Sequence, residues 1–183
     1  KYFDKSSNTY LISVQFKLSL ESLLDRPNEL LNLINDCLKP KSQEKKMYGE
    51  VFTPINFINN MLLDLENYYF SKNNINIYTN EKLTWYDPCS GMGNFHICVF
   101  YKLMEGLKDK IQDLKLRKKH ILEKQLYFGE LNKKNCFIIK QIFDINNEYK
   151  LNLYEGDTLK IDLLKVFNKD NFDIILGNPP YNE

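Results

Sequence analysis

Apolar positions in this chain follow two rhythms, one helical and one strand-like, and the switches between them divide it into units. Over residues 10–24, Leu11, Val14, Leu18, Leu20, Leu23 and Leu24 suggest a helix that Asp25-Arg26-Pro27 breaks. Asn28 can cap a second helix with Leu30, Leu31, Ile34, Cys37 and Leu38 on one face. A polar, Lys-rich connector covers residues 40–46, so residues 1–46 read as an N-terminal helical segment. Thr53-Pro54 then reads as a helix start, Thr as N-cap and Pro in the first helical position, before Ile55, Ile58, Met61, Leu62 and Leu65. The Asn-rich stretch 71–82 is a loop with room for a short strand at 75–77.

From residue 83 the pattern becomes strand, turn, helix, repeated. Strands are predicted at 83–86, 126–129, 151–154 and 172–176, and helices from about Asn94, at 133–143 and at 159–167. Helix-compatible sequence runs on to about Lys124, so a break near Gly106 and an inserted helix are expected. Such alternation predicts an α/β fold with a parallel sheet and right-handed crossovers. Sheets of this kind bind ligands beyond the carboxyl ends of their strands. Four polar segments fall at those ends: Asp87-Pro88, Glu130, Asp157 and Asn178.

Composition narrows the class without deciding it. The chain has 183 residues, a net charge of +1, 43% hydrophobic and 27% charged residues, as expected of an ordinary globular protein able to bury a core. The near-neutral charge neither marks nor excludes a nucleic-acid binder. Cys37, Cys89, Cys98 and Cys136 form no C-x-x-C pair and with His96 and His120 show no ligand-like spacing. These read as free thiols in a reducing compartment, with no metal site and a cytoplasmic location. No apolar run approaches a membrane span, and no secretory signal is present.

The chemistry lies in the turns. Gly91 and Gly93, between strand and helix, let backbone approach a ligand, although a plain tight turn needs them as well. A dinucleotide fingerprint requires a third glycine, and here Gly91-Met92-Gly93 is followed by Asn94-Phe95-His96. Asp87 ahead of the glycines repels a pyrophosphate and suits an ammonium or sulfonium, which points to S-adenosyl-L-methionine rather than NAD. Glu130 is placed to accept from ribose hydroxyls and Asp157 from an adenine amine. In Asn178-Pro179-Pro180-Tyr181 the prolines fix the backbone so that the Asn178 amide oxygen and the Pro179 carbonyl converge. Two convergent acceptors hold an amine and aim its lone pair, and Tyr181 offers a ring to stack on a planar group. A rigid turn is the alternative. Lys115, Arg117, Lys118 and Lys119 form the densest basic run, either a phosphate contact or a solvated face.

With these residues in place, the chain resembles the DNA adenine-N6 methyltransferases of bacterial and viral restriction–modification systems. The branch is the one whose cofactor motifs precede the catalytic motif, and the resemblance covers roughly residues 49–182. Gly49-Glu50-Val51-Phe52-Thr53-Pro54 looks like the opening cofactor motif, and Asp87-Pro88-Cys89-Ser90-Gly91-Met92-Gly93-Asn94-Phe95 like the glycine-rich one. Tyr127-Phe128-Gly129-Glu130-Leu131-Asn132 and Gly156-Asp157-Thr158-Leu159 match the motifs for ribose and cofactor adenine. The stretch 104–125 is longer than the family's simplest members need.

The resemblance implies a Rossmann-like S-adenosylmethionine-dependent fold over residues 47–183, its sheet incomplete here. Phe52, Thr53, Pro54, Asp87, Pro88, Gly91, Gly93, Asn94, Phe95, Glu130, Asp157 and Asn178 would then bind cofactor. Asn178, Pro179, Pro180 and Tyr181 would act on the N6 amine of an adenine flipped out of DNA. A target recognition domain absent from this chain would bind double-stranded DNA, with an endonuclease as a possible partner. Because the chain starts at Lys1 and stops just past the tetrapeptide, it is expected to be a fragment, with an exposed sheet edge and little activity alone.

Protein-glutamine and RNA amine methyltransferases carry similar tetrapeptides, and a non-catalytic subunit could keep the fold. Phe52-Thr53-Pro54 upstream favours adenine in DNA. Asn178, Tyr181, Asp87 and Glu130 together favour an enzyme.

Overall fold

The structure, a computed structural model, describes Glu29 and residues 53–181. The N-terminal helical segment, its boundary near residue 46, the motif residues 49–52 including Phe52, and Cys37 lie outside the described residues. Among those described, no helix is long and apolar enough to cross a membrane.

Four strands form one parallel sheet: β1 (Trp85–Asp87), β2 (Leu126–Glu130), β3 (Asn152–Glu155) and β4 (Ile174–Ile175), in the order β3-β2-β1-β4. Trp85 pairs with Leu126 on one side and Ile174 on the other, and Glu130 pairs with Glu155. The helices are α1 (Ile55–Asn73), α2 (Asn94–Gly106), α3 (Leu114–His120), α4 (Lys133–Phe143) and α5 (Leu163–Phe167). The expected break falls at Gly106, and the inserted piece is α3 followed by a π-helical turn, Ile121–Gln125, that runs straight into β2.

Alternation along the strands divides the core into two faces. On one, Trp85 stacks on Tyr78 at 5.6 Å, and Phe128 lies 4.3 Å from the His96 ring and 5.1 Å from Phe143. His96 is fully buried, its Nε2 3.3 Å from the Trp85 carbonyl, and burial pushes its pKa down to about 4, so it is a neutral core residue. On the other face Tyr86, Tyr127, Phe167 and Phe172 form an aromatic cluster, with Tyr86 and Phe172 4.6 Å apart. Ile175 of β4 is 65% exposed there, and among the described residues β4 pairs with β1 alone.

Two local expectations give way to side-chain hydrogen bonding. Residues 75–77 form no strand, because the Asn76 side chain accepts from the Tyr78 N–H and closes a 3₁₀ turn, Ile77–Thr79. Thr53 is not the cap of α1: Pro54 sits at that position with an extended backbone, and its carbonyl accepts from Phe57 and Ile58. The basic run is engaged nearby, Lys115 with Glu148, Lys119 with Glu123, and Lys118 over the Tyr149 ring. That favours the solvated face over the phosphate contact.

β4 is short, and one polar clasp sets its register. The Asp173 carboxylate accepts from both the N–H and the hydroxyl of Thr84 at 2.8 Å, ahead of the Ile174-to-Thr84 backbone bond at 3.0 Å. Asp173→Ala removes both acceptor contacts and is expected to cost about 2 kcal/mol, hydrogen bonds to charged groups being the stronger kind. Chemical denaturation checks it, and no change would mean that β4 holds its register without the clasp.

Candidate active site at the sheet switch point

The strand order reverses at β1. β2 and β3 lie to one side of it and β4 to the other, so the loops leaving β1 and β4 diverge and open a crevice between them. Both polar segments singled out in the sequence, Asp87 to Gly93 and Asn178 to Tyr181, leave their strands at this place. Strand pairing continues as far as the Leu176 N–H bond to the Tyr86 carbonyl at 3.0 Å, which sets Gly177 against Asp87.

The loop after β1 is held by its own backbone and by β2. Cys89 N–H donates to Asp87 Oδ1 at 3.0 Å, Ser90 Oγ donates to the Asp87 carbonyl at 3.0 Å, and Ser90 N–H donates to the Gly129 carbonyl at 2.9 Å. Gly91 (φ 54°) and Gly93 (φ 89°) take the left-handed conformation, and Gly93 opens α2. Glu130 ties the loop to β2: Oε2 accepts from Gly91 N–H and Oε1 from Asn132 N–H, both at 2.7 Å.

Asp87 is fully buried and its Oδ2 has no hydrogen-bond partner. Burial pushes its pKa up to about 7, and the Glu130 charge adds to the rise. An unpartnered, solvent-excluded carboxylate oxygen beside the crevice, backed by a second acid, is a group that suits a cation better than a phosphate. It fits the positively charged methionyl end of S-adenosylmethionine.

The tetrapeptide forms the other wall. Tyr181 Oη donates to Asn178 Oδ1 at 2.6 Å, and the Tyr181 ring is 70% exposed. A cleft of about 500 Å³ brings Thr53, Pro54 and Phe95 together with Asn178, Pro179 and Tyr181. An adjoining cleft of about 470 Å³ adds Pro88 and Cys89 and shares Met61, Phe95, Gly177 and Pro179 with the first. Pro180 is exposed, and Asn94 is buried in the first turn of α2. Asp157 stands apart, beyond β3 at the opposite edge of the sheet. There it caps a 3₁₀ turn through Leu159 N–H and meets Lys160 at 2.9 Å, a contact that lowers its pKa.

Sequence reasoning passed over Gly177, Phe57 and Met61. Phe57 and Met61 looked like ordinary positions of an amphipathic helix, and they line the cleft. Gly177 carried a signal, a glycine immediately ahead of the tetrapeptide. A Cβ there would overlap Asp87 Oδ1 and lie 3.2 Å from Cys89 Sγ. Gly177→Ala is expected to cost about 1–3 kcal/mol, as overpacking does, and to displace the Asp87 carboxylate. Denaturation paired with cofactor titration checks it, and unchanged values for both would mean that the wall yields.

The parallel sheet of order β3-β2-β1-β4 with its flanking helices and a crevice at the switch point matches the Rossmann-like methyltransferase fold. Residues 37–183 match the family described as N-6 DNA Methylase, and the chain belongs to that family. An "Uncharacterized adenine-specific methylase" of Mycoplasma pneumoniae (strain ATCC 29342 / M129 / Subtype 1) is 29% identical over 158 residues, which are 85% of this chain and 33% of that protein. The chain therefore spans about a third of that relative's length.

Proposed function

We propose that the protein transfers a methyl group from S-adenosylmethionine to the N6 amine of adenine in DNA, within a restriction–modification system. The observation that carries this reading is the shared cleft. In it Asn178 and Pro179 face Thr53, Pro54 and Phe95, beside the buried Asp87 carboxylate. Family membership and the name of the Mycoplasma relative support it.

In this reading Asp87 holds the methionyl end of the cofactor, with Phe52, Thr53, Pro54 and Phe95 packing beside it. Pro88, Gly91, Gly93 and Asn94 shape the loop, Glu130 accepts from the ribose hydroxyls, and Asp157 meets the adenine of the cofactor. The bound cofactor supplies an electrophilic methyl group. Asn178 Oδ1 and the Pro179 carbonyl accept the two N6 hydrogens of a flipped adenine, so the nitrogen lone pair is directed at that methyl. Pro180 keeps the backbone rigid, and the exposed Tyr181 ring stacks on the base. Positioning supplies most of the catalysis, because in-line transfer from a sulfonium needs alignment more than acid–base help. DNA is the proposed partner, with sequence recognition from a further domain and cleavage from an associated endonuclease.

The test is to incubate the protein with methyl-labelled S-adenosylmethionine and adenine-containing duplexes, then separate the nucleosides. Label in N6-methyl-2′-deoxyadenosine is the expected result. Label in protein glutamine or in RNA guanine would move the reading to those amines. Absence of cofactor binding by calorimetry, with NAD as control, would leave a non-catalytic scaffold.

A further inference from the structure

Two roles meet on Tyr181, and one placement of its side chain cannot serve both. In the structure its Oη donates to Asn178 Oδ1 at 2.6 Å. In the proposed reaction the same ring stacks on the target base while Asn178 Oδ1 accepts from that base's amine. A stacked ring lies about 3.5 Å from the base, the optimal separation of non-bonded carbons, and a phenol oxygen lies in the plane of its own ring. Asn178 Oδ1 would accept the amine in the plane of the base. The hydroxyl of a stacked Tyr181 therefore stands at least about 3.5 Å from that oxygen, beyond the reach of an O–H···O bond. The contact and the stack exclude each other.

The surroundings allow the exchange. The Tyr181 ring is 70% exposed, so little packing holds it in place. Asn178 and Tyr181 bracket the two prolines, whose fixed φ keeps the backbone steady while the Tyr181 side chain turns about its own bonds. Both residues line the cleft of about 500 Å³, so the ring turns at the wall of the space the base enters.

We propose that the Tyr181 hydroxyl stands in for the target amine: it occupies the Asn178 acceptor until a base enters, then releases it as the ring swings over the base. This deepens the methyltransferase reading and rests on it. An amide oxygen that already holds a donor keeps its direction, so the acceptor meets the amine without reorganising. The exchange also sets a threshold. Every entering base must first break the bond between Tyr181 and Asn178, whatever it offers in return. Adenine returns an N–H, and purine, which has no exocyclic amine, returns nothing.

Vibrational spectroscopy of the full chain tests the contact. The tyrosine Fermi doublet reports phenol hydrogen bonding, and the wild-type spectrum minus that of Tyr181→Phe isolates residue 181. It is expected to show a strongly donating phenol and to lose that signature in Asn178→Ala. The same loss is expected when a duplex that the protein methylates binds together with S-adenosylhomocysteine. A doublet unmoved by Asn178→Ala, or unmoved by the duplex, overturns the proposal.

Binding tests the exchange, with duplexes that carry adenine or purine at the position wild-type protein methylates. Tyr181→Phe keeps the ring and removes the hydroxyl. Both duplexes are expected to bind it about fivefold more tightly than wild type, the weight of one ordinary hydrogen bond. A hydroxyl that meets the amine in the complex would instead weaken binding of the adenine duplex alone. A hydroxyl without a part would leave both affinities in place, and either result overturns the proposal. If wild-type protein methylates no adenine in DNA while the doublet shows the Asn178 contact, the methyltransferase reading fails and takes the stand-in role with it. If methylation proceeds while the doublet or the affinities disagree, the stand-in role alone falls.

Discussion

Asn178→Ala is expected to lower single-turnover methyl transfer by about two to three orders of magnitude, the usual loss when one preorganised polar group is removed from a reacting centre, while the cofactor still binds. The reason is geometric. Two acceptors fix both the position and the rotation of an amine, and one fixes only its position. With Asn178 Oδ1 gone, the Pro179 carbonyl leaves the amine free to turn its lone pair away. In the structure that oxygen already accepts a hydrogen bond, from Tyr181 Oη at 2.6 Å, so it points where a donor can reach it. Rapid-quench assays with labelled cofactor, alongside calorimetry, separate the two effects. Turnover within a few-fold of wild type would remove Asn178 from the chemistry. Equal loss of cofactor binding would assign it to the cofactor instead.

Cofactor affinity is expected to rise as pH increases through about 7, the value to which burial pushes Asp87. A ligand with a positively charged end requires the carboxylate, so below that midpoint binding must first remove a proton. From about one unit below the midpoint to one unit above, affinity gains about tenfold. The stability of the unliganded protein runs the other way. A carboxyl whose pKa is raised on folding holds its proton more tightly in the folded state. Its favourable contribution is therefore present at low pH and is lost as pH climbs from the ordinary Asp value to about 7. Asp87→Asn keeps the shape and removes the titration. It is expected to flatten both dependences and to bind S-adenosylmethionine poorly at every pH. Comparing it with wild type at each pH also cancels any titration of the cofactor. An affinity for wild type that ignores pH would sink this account of Asp87.

Much of this molecule was legible before any coordinate. The alternation of strand and helix, the break at Gly106, and the polar residues closing successive strands are local properties, set by period, turn chemistry and the lack of a third glycine. They were enough to place Asp87, Glu130 and Asn178 at strand ends and to suggest a cationic cofactor.

The tertiary structure decided what those residues touch. Only the order β3-β2-β1-β4 sets β4 beside β1, so that Gly177 and Cys89 press on Asp87 and the tetrapeptide shares a cleft with Thr53 and Phe95. Only packing shows that Glu130 spends a lone pair on Gly91 N–H, that the basic run is taken up by Glu148, Glu123 and Tyr149, and that Asp157 caps its own turn. The missed details share one cause. Whether Asn76 closes a turn or residues 75–77 extend, and whether Thr53 or Pro54 begins α1, depends on which hydrogen-bond partner stands nearby. Periodicity carries no record of such partners, because which short-range bond forms depends on small shifts of backbone angle rather than on the spacing of apolar residues. Sequence fixes where chemistry-bearing groups leave the sheet, and the strand order fixes which of them meet.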